Sequence, residues 1–274
     1  MILIVASQKD QASLNIKNQL LANYSFKETT AKSQENTVYT AKVDDRNVEL
    51  ITLNQESVYA QDLPRFFPET ELIVFISRHS SMSGTPTLSV HTPGNLGPAD
   101  LGGNPKEVSV SPSNAMREAL KIMSQKKDEK QIKYDVSYEG THHGPSLNAP
   151  TMFAELGSSP EQWKDETAAE IVAHAAMGAI SRFRNVSAET VLGIGGPHYN
   201  SKFTKIALQT QVAFGHIIPK HSIPQIDSAT LQQCIDRTLE TVQQVVLDWK
   251  GIRSEDKPRL LAMVNKTGLP IQKV

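Results

Sequence analysis

Apolar residues run along this chain as short unbroken blocks separated by helical stripes. Met1–Ala6 is apolar throughout and predicts a strand buried on both faces, because a strand with one wet face would alternate. Leu14, Ile16, Leu20 and Leu21 recur at helical spacing within Asp10–Leu21, giving an opening strand–helix unit. Val38–Thr40 and Val48–Leu53 predict short strands joined at Asp44-Asp45-Arg46-Asn47, and Glu71–Ser77 and Thr87–His91 predict two more. Thr92–Pro105 is so rich in Gly, Pro and Asn that it must be irregular.

Ser111-Pro112 opens a predicted helix to about residue 125, with Ala115, Met116, Ala119, Leu120 and Met123 on one face. Lys133–Tyr138 alternates like a strand. Ser159-Pro160-Glu161-Gln162 has the form of a cap, a first-turn proline and a capping-box glutamine, and predicts a helix to about Phe183. Thr190–Ile194 reads as a strand, and Phe203–Ile218 as a helix followed by a strand near Val212–Ile217. The apolar positions from Leu231 to Trp249 form one stripe and predict a helix over Thr230–Lys250 that ends at Gly251. This alternation of strands and helices is an α/β pattern. At 274 residues the chain reads as one α/β domain spanning 1–274, with residues 79–110 able to form a small lobe.

Composition narrows the chemistry. The single Cys234 allows neither an internal disulfide nor a thiolate metal cluster, so any metal must be held by His, Asp or Glu. That cysteine usage, the lack of a signal peptide and the lack of a run approaching ~20 apolar residues lead us to expect a cytoplasmic protein. A net charge of −1 gives no general attraction for nucleic acid, though Lys126, Lys127, Lys130 and Lys133, or Lys202, Lys205 and Lys220, can form a local basic patch.

Seven of the eight histidines sit in Gly-, Pro- or Ser-rich segments, most of them after β-like runs, where α/β proteins place their chemistry. In Glu139-Gly-Thr-His-His-Gly-Pro145, adjacent imidazoles point apart, so one can ligate a metal while the other acts on substrate, and Glu139 adds a carboxylate. The plainer reading is a pair of loop-bracing histidines. His198, after Gly195-Gly196-Pro197, can approach a ligand closely or simply cap the next helix. Arg78 offers a guanidinium to phosphate or carboxylate, and His91 with the glycine-rich stretch beyond it can form a lid or a structural loop. His174 reads as packing or surface on a helix, and Cys234 as core. The H-E-x-x-H, G-x-S-x-G and P-loop patterns are absent, so zincin, serine hydrolase and P-loop readings lose their support.

Ser77-Arg-His-Ser-Ser81, Leu88-Ser-Val-His-Thr-Pro-Gly-Asn95, Tyr138-Glu-Gly-Thr-His-His-Gly-Pro145, Pro150–Trp163 and Gly193-Ile-Gly-Gly-Pro-His-Tyr199 together resemble the archaeal and plant type of D-aminoacyl-tRNA deacylase. The likeness runs from the first strand to Asn265–Pro270. It implies a three-layer α/β/α fold with a mixed, mostly parallel sheet, similar to phosphorylase and peptidyl-tRNA hydrolase. It also implies zinc-dependent hydrolysis of the ester between a D-amino acid and tRNA, with one or two Zn2+ ions. Within that reading His142, His143 and Glu139 are expected to be catalytic, and His142, His143, His198 and Glu155 to bind metal. Arg78, His79, His91, Lys202 and Lys220 are expected on the substrate and tRNA side. The chain is expected to act as a monomer on D-aminoacyl-tRNA, without DNA or membrane partners. A zinc hydrolase of small amides or peptides, and a non-catalytic RNA-binding protein, stay open as alternatives; few aromatics weigh against the last.

Overall fold

The computed structural model describes residues 1–274. Strand β1 (Ile2–Ser7) is buried along its whole length, as its unbroken apolar run predicts. Helix α1 (Gln11–Asn23) follows, capped by Asp10, whose Oδ1 accepts from Ser13 N at 3.0 Å. Strands β2 (Lys27–Ser33), β3 (Asn36–Val43) and β4 (Arg46–Leu53) come next, then the short helix α2 (Leu63–Phe66) and strands β5 (Leu72–Arg78) and β6 (Thr87–His91). Helix α3 (Ser113–Lys130) leads to β7 (Asp135–Tyr138), β8 (Thr151–Gly157) and helix α4 (Glu166–Arg182). The last third holds β9 (Glu189–Ile194), α5 (Ser201–Gln209), β10 (Val212–Ile218), α6 (Ser228–Asp236), β11 (Gln244–Leu247), α7 (Lys257–Asn265) and β12 (Ile271–Lys273).

Two sheets result. The larger has eight strands in the order β2-β3-β4-β1-β5-β8-β6-β7 and is mixed, with β4, β1, β5 and β8 running parallel at its centre. The smaller, β10-β9-β11-β12, is parallel throughout. Helices α1, α3 and α4 cover one face of the large sheet through an apolar cluster that includes Ile4, Val74, Leu120 and Ile171. On the opposite face, Phe75 and Phe153 pack with Leu63, Ala60 and Leu147. The small sheet is flanked by α3 and α5 on one side and by α6 and α7 on the other. The expected three-layer α/β architecture with a mostly parallel mixed sheet is therefore present, with a second sheet beside it.

Three sequence expectations change. The stripe from Thr230 to Lys250 is not one helix: α6 ends at Asp236 and Gln244–Leu247 is a strand between β9 and β12. Val242, Val245 and Val246 are β-branched and pack readily in a sheet, and Leu239 N donates instead to Ser111 O at 2.9 Å, leading the chain away from the helix axis. The helix expected from Ser159 begins at Glu166, because Asp165 caps it by accepting from Ala168 N at 3.0 Å, and Gln162–Lys164 forms only a short 3-10 turn. Finally, β2, β8 and β12 were not predicted. Helix α3 also extends past residue 125 to Lys130, and Glu240 closes its N-terminus by accepting from Ser113 N at 3.0 Å and Asn114 N at 3.1 Å.

The carboxyl ends of β5, β7 and β9 converge, together with strand β8. The loop after β7 joins the two sheets: Thr141 N donates to Ile217 O at 2.8 Å, and Glu139 bridges to Tyr199. Thr92–Pro105 is irregular as expected, but Thr92–Gly97 is buried, and Gly94 N donates to the carbonyls of His142 and His143 at 3.1 and 2.7 Å. Of the lid and the structural loop left open for this segment, the packing matches the structural loop, which braces the two histidines.

Candidate active site and metal-binding cluster

Six of the chain's imidazoles and two buried carboxylates meet around a cavity of about 610 Å³, whose wall includes His79, His142, His143, Glu155, His198 and Tyr199. They reach it from several strands and the loops after them. His79 follows β5, His91 ends β6, Glu139, His142 and His143 follow β7, Glu155 lies within β8, and His198 follows β9. Gly195 and Gly196 take φ of +104° and +77°, a left-handed turn that glycine adopts without Cβ strain and that sends the chain back toward the cavity at His198. His143 itself holds φ +40°, an uncommon conformation for a residue with a Cβ and one that clusters at functional sites.

The imidazoles form two groups that share His142. In one, the ring centres of His91 and His142 lie 4.2 Å apart, His142 and His143 4.2 Å, and His91 and His143 4.9 Å. The Nδ1 of His142 meets Gly140 O at 2.8 Å and that of His143 meets Gly144 O at 2.7 Å. A carbonyl only accepts, so each Nδ1 carries the proton and each Nε2 presents a lone pair. His91 is buried with both ring nitrogens lacking a hydrogen-bond partner, a costly state that a bound cation would relieve. Burial, with neighbouring imidazoles adding to it, holds His91 and His142 well below their ordinary range, and burial lowers His143 to about 4. Neutral imidazole is the form that binds metal. This donor set fits a metal ion.

The second group centres on Glu139, whose side chain is fully buried. His198 Nε2 lies 2.9 Å from its Oε2 and His142 Nε2 3.7 Å, while His79 Nδ1 lies 3.1 Å from Oε1. Burial would raise Glu139, but the hydrogen bonds from His198 and His79 outweigh it and keep the carboxylate ionised. For His79, burial would lower the pKa, and the two carboxylates Glu139 and Glu155 instead raise it to about 10. Burial and the nearby Glu139 push Glu155 up to about 6. Two carboxylates flanking one imidazole thus have their affinities for protons driven apart.

The expected ligand set is regrouped by this geometry. Glu155 lies with His79 at 3.4 Å and accepts from Ser77 Oγ at 2.5 Å, and its Oε2 is 3.9 Å from His91 Nδ1 at the edge of the three-imidazole group. His91, expected on the substrate side, is enclosed behind His142 and His143. Arg78 is held by Glu56 at 3.0 and 3.1 Å, Lys202 is bound to Asp248, and Lys220 is exposed with no carboxylate partner. Sequence reasoning missed Phe153, whose ring centre is 5.0 Å from those of both His91 and His143. It stands two residues before Glu155 and so on the same face of β8, a signal that becomes available only once that strand is known.

The other two imidazoles lie elsewhere. His174, on α4, bonds Tyr24 Oη at 2.6 Å. His216 lies inside β10, within the strand expected near Val212–Ile217, against Thr141 Oγ1 at 3.0 Å. Burial lowers His216 to about 4, so between about pH 6.5 and 4 the unfolded chain binds a proton that the native chain refuses. Its contribution to stability is intact above that window and lost as pH falls through it. Unfolding midpoints measured from pH 4 to 7 are expected to drop toward acid, and less steeply in His216→Gln.

Buried imidazoles and carboxylates on an α/β scaffold, opening on one cavity, define a hydrolase-type site that can hold a metal ion. The chain belongs to the D-aminoacyl-tRNA deacylase family, whose model matches residues 66–272. It is 38% identical over 275 residues to the D-aminoacyl-tRNA deacylase of Thermococcus kodakarensis, covering 98% of both chains. It is 34% identical over 281 residues to that of Methanosarcina mazei, covering 99% of this chain and 92% of the relative. A crystal structure described as a conserved protein of unknown function is 31% identical, superimposes with a TM-score of 0.88 and covers 100% of this chain and 95% of its own. No helix is long and apolar enough to cross a membrane.

Proposed function

We propose that this chain hydrolyses the ester joining a D-amino acid to tRNA, using a zinc ion held by His91, His142 and His143. The observation that carries the proposal is the pair of Nε2 lone pairs of His142 and His143 facing the unpartnered ring of buried His91, beside a cavity of about 610 Å³. Three imidazoles with an open position are the donor pattern of catalytic zinc. Such an ion supplies Lewis acidity, bringing the pKa of a water toward ~7 and polarising the ester carbonyl.

The remaining steps fall to the chain's own groups. Glu139 accepts the Nε2 proton of His198, which fixes the tautomer and leaves Nδ1 as the basic nitrogen. As the oxygen of water bonds to the carbonyl carbon, its proton passes to His198. The carbon–oxygen bond to the ribose then breaks and the ribose oxygen takes that proton, so the products are a free D-amino acid and tRNA. His79, kept protonated between Glu139 and Glu155 and in contact with the Tyr199 hydroxyl, holds the buried carboxylates in place and balances their charge.

The test compares D-tyrosyl-tRNA with D-tyrosine ethyl ester and a dipeptide. The deacylase reading expects efficient turnover of the tRNA ester and feeble turnover of the other two. Equal or better turnover of the dipeptide would make this a small-amide hydrolase instead, and no turnover of any substrate would end the catalytic reading.

A further inference from the structure

Residues 249–274 carry six basic residues against Glu255 and Asp256, in a chain whose formal net charge is −1. The fold brings part of this excess to the carboxyl edge of the small sheet, which borders the cavity. There the loops after β9, β10 and β11 bond to one another: Lys220 N donates to Gly196 O at 2.9 Å, and Gly196 N to Gly251 O at 3.4 Å. Exposed His221 lies 6.2 Å, ring centre to ring centre, from His198 in the cavity wall.

Lys202 on this edge is bound to Asp248, and the other cations there are Lys220, Lys250, Arg253, Lys257 and Lys273. None of these others forms an ion pair, whereas Lys126, Lys127 and Lys130 on α3 are each paired with a carboxylate at 2.8–3.0 Å. Lys257 and Lys273 are drawn together over one ring, their Nζ atoms 4.5 and 4.0 Å from the centre of Trp249. The face of an indole attracts ammonium groups, but two gathered at one site repel each other, and the repulsion falls when an anion lies alongside. Burial lowers His221, and His198, Arg253 and Lys220 add to the effect, as expected of an imidazole set among positive neighbours.

We propose that this edge, from Lys220 through Lys250 and Arg253 to the Lys257–Trp249–Lys273 clamp, is the track on which the phosphate backbone of the tRNA acceptor arm lies as its 3′ end enters the cavity. The proposal rests on the deacylase reading and says where on the chain the nucleic acid binds. A row of unpaired cations ending at a catalytic cavity fits a polyanion whose one end must be delivered there.

The experiment measures binding of uncharged tyrosine tRNA by fluorescence anisotropy at several salt concentrations, for wild type, Lys250→Glu/Arg253→Glu and Lys127→Glu/Lys130→Glu. The first double variant is expected to weaken binding tenfold or more and to flatten the plot of log Kd against log salt by about 1.5, two phosphate contacts' worth. The second should match wild type. Lys250→Ala/Arg253→Ala, which adds no new repulsion, is expected to move both quantities in the same direction as the charge reversal, and an unchanged unfolding midpoint shows that each variant is folded. Affinity within twofold of wild type and an unchanged slope in the Lys250/Arg253 variants would overturn the track, as would an equal loss in the Lys127/Lys130 variant. The deacylase reading is scored separately, by whether the wild-type protein releases D-tyrosine from D-tyrosyl-tRNA.

Discussion

His142→Ala is expected to lower deacylation of D-tyrosyl-tRNA by roughly a thousandfold or more, because an uncatalysed water at neutral pH lies many pKa units from the reactive form. His142 is the residue common to both imidazole groups, with its Nε2 turned toward Glu139 and its ring against His91, His143 and His198. Removing it takes a ligand from one group and a neighbour from the other. Its ring is partly exposed to the cavity, so the change leaves no sealed void in the core, and the unfolding midpoint should move by only a few degrees. Zinc content, measured by metal analysis on the purified variant, should fall with the activity. A variant that keeps both zinc and rate would remove His142 from the mechanism.

Glu139→Gln separates proton handling from metal binding. The amide is nearly isosteric, but it cannot accept from His79 and His198 as a carboxylate does, and its own N–H groups would face ring nitrogens. A drop in kcat of about 10²- to 10⁴-fold is expected, the range for losing a positioned acid–base pair, with KM little changed and zinc retained by the three histidines. Loss of zinc together with kcat would make Glu139 a ligand, and His91, His142 and His143 would then not be sufficient. Kinetics and metal analysis on the same preparation decide between the two roles.

Much of this site is legible in the residues because its imidazoles lie on loops after strands. Gly195-Gly196 before His198 and Gly140 and Gly144 around the His142–His143 pair are recognisable punctuation, and the strands feeding them can be found, β7 by its alternation and β9 by its apolar run. Strand β8 is harder to read. Thr151–Gly157 is buried on both faces, so it lacks alternation, and Glu155 interrupts its apolar run, yet this carboxylate is accommodated by Ser77 and His79 from neighbouring segments. Those partners lie 76 or more positions away, and no local pattern encodes them. The same limit explains Thr230–Lys250: an apolar stripe at helical spacing and a short β-branched strand share residues, and only the slot between β9 and β12 decides for the strand. The choice between a lid and a structural loop at His91 stays open in the sequence for a related reason. Glycines beside it suggest mobility, whereas here they let Gly94 approach the His142 and His143 carbonyls and pack tightly.

The central claim is that folding gathers these distant imidazoles into one zinc-bearing catalytic cleft, and metal removal and return test it most directly. The protein is stripped with a chelator, zinc is added back in steps, and release of D-tyrosine and L-tyrosine from their tRNA esters is followed at each step. The account predicts that D-tyrosyl-tRNA deacylation disappears with the metal and returns in proportion to bound zinc, with the L-ester left intact throughout. An undiminished rate on D-tyrosyl-tRNA in protein shown by metal analysis to be free of zinc would contradict it.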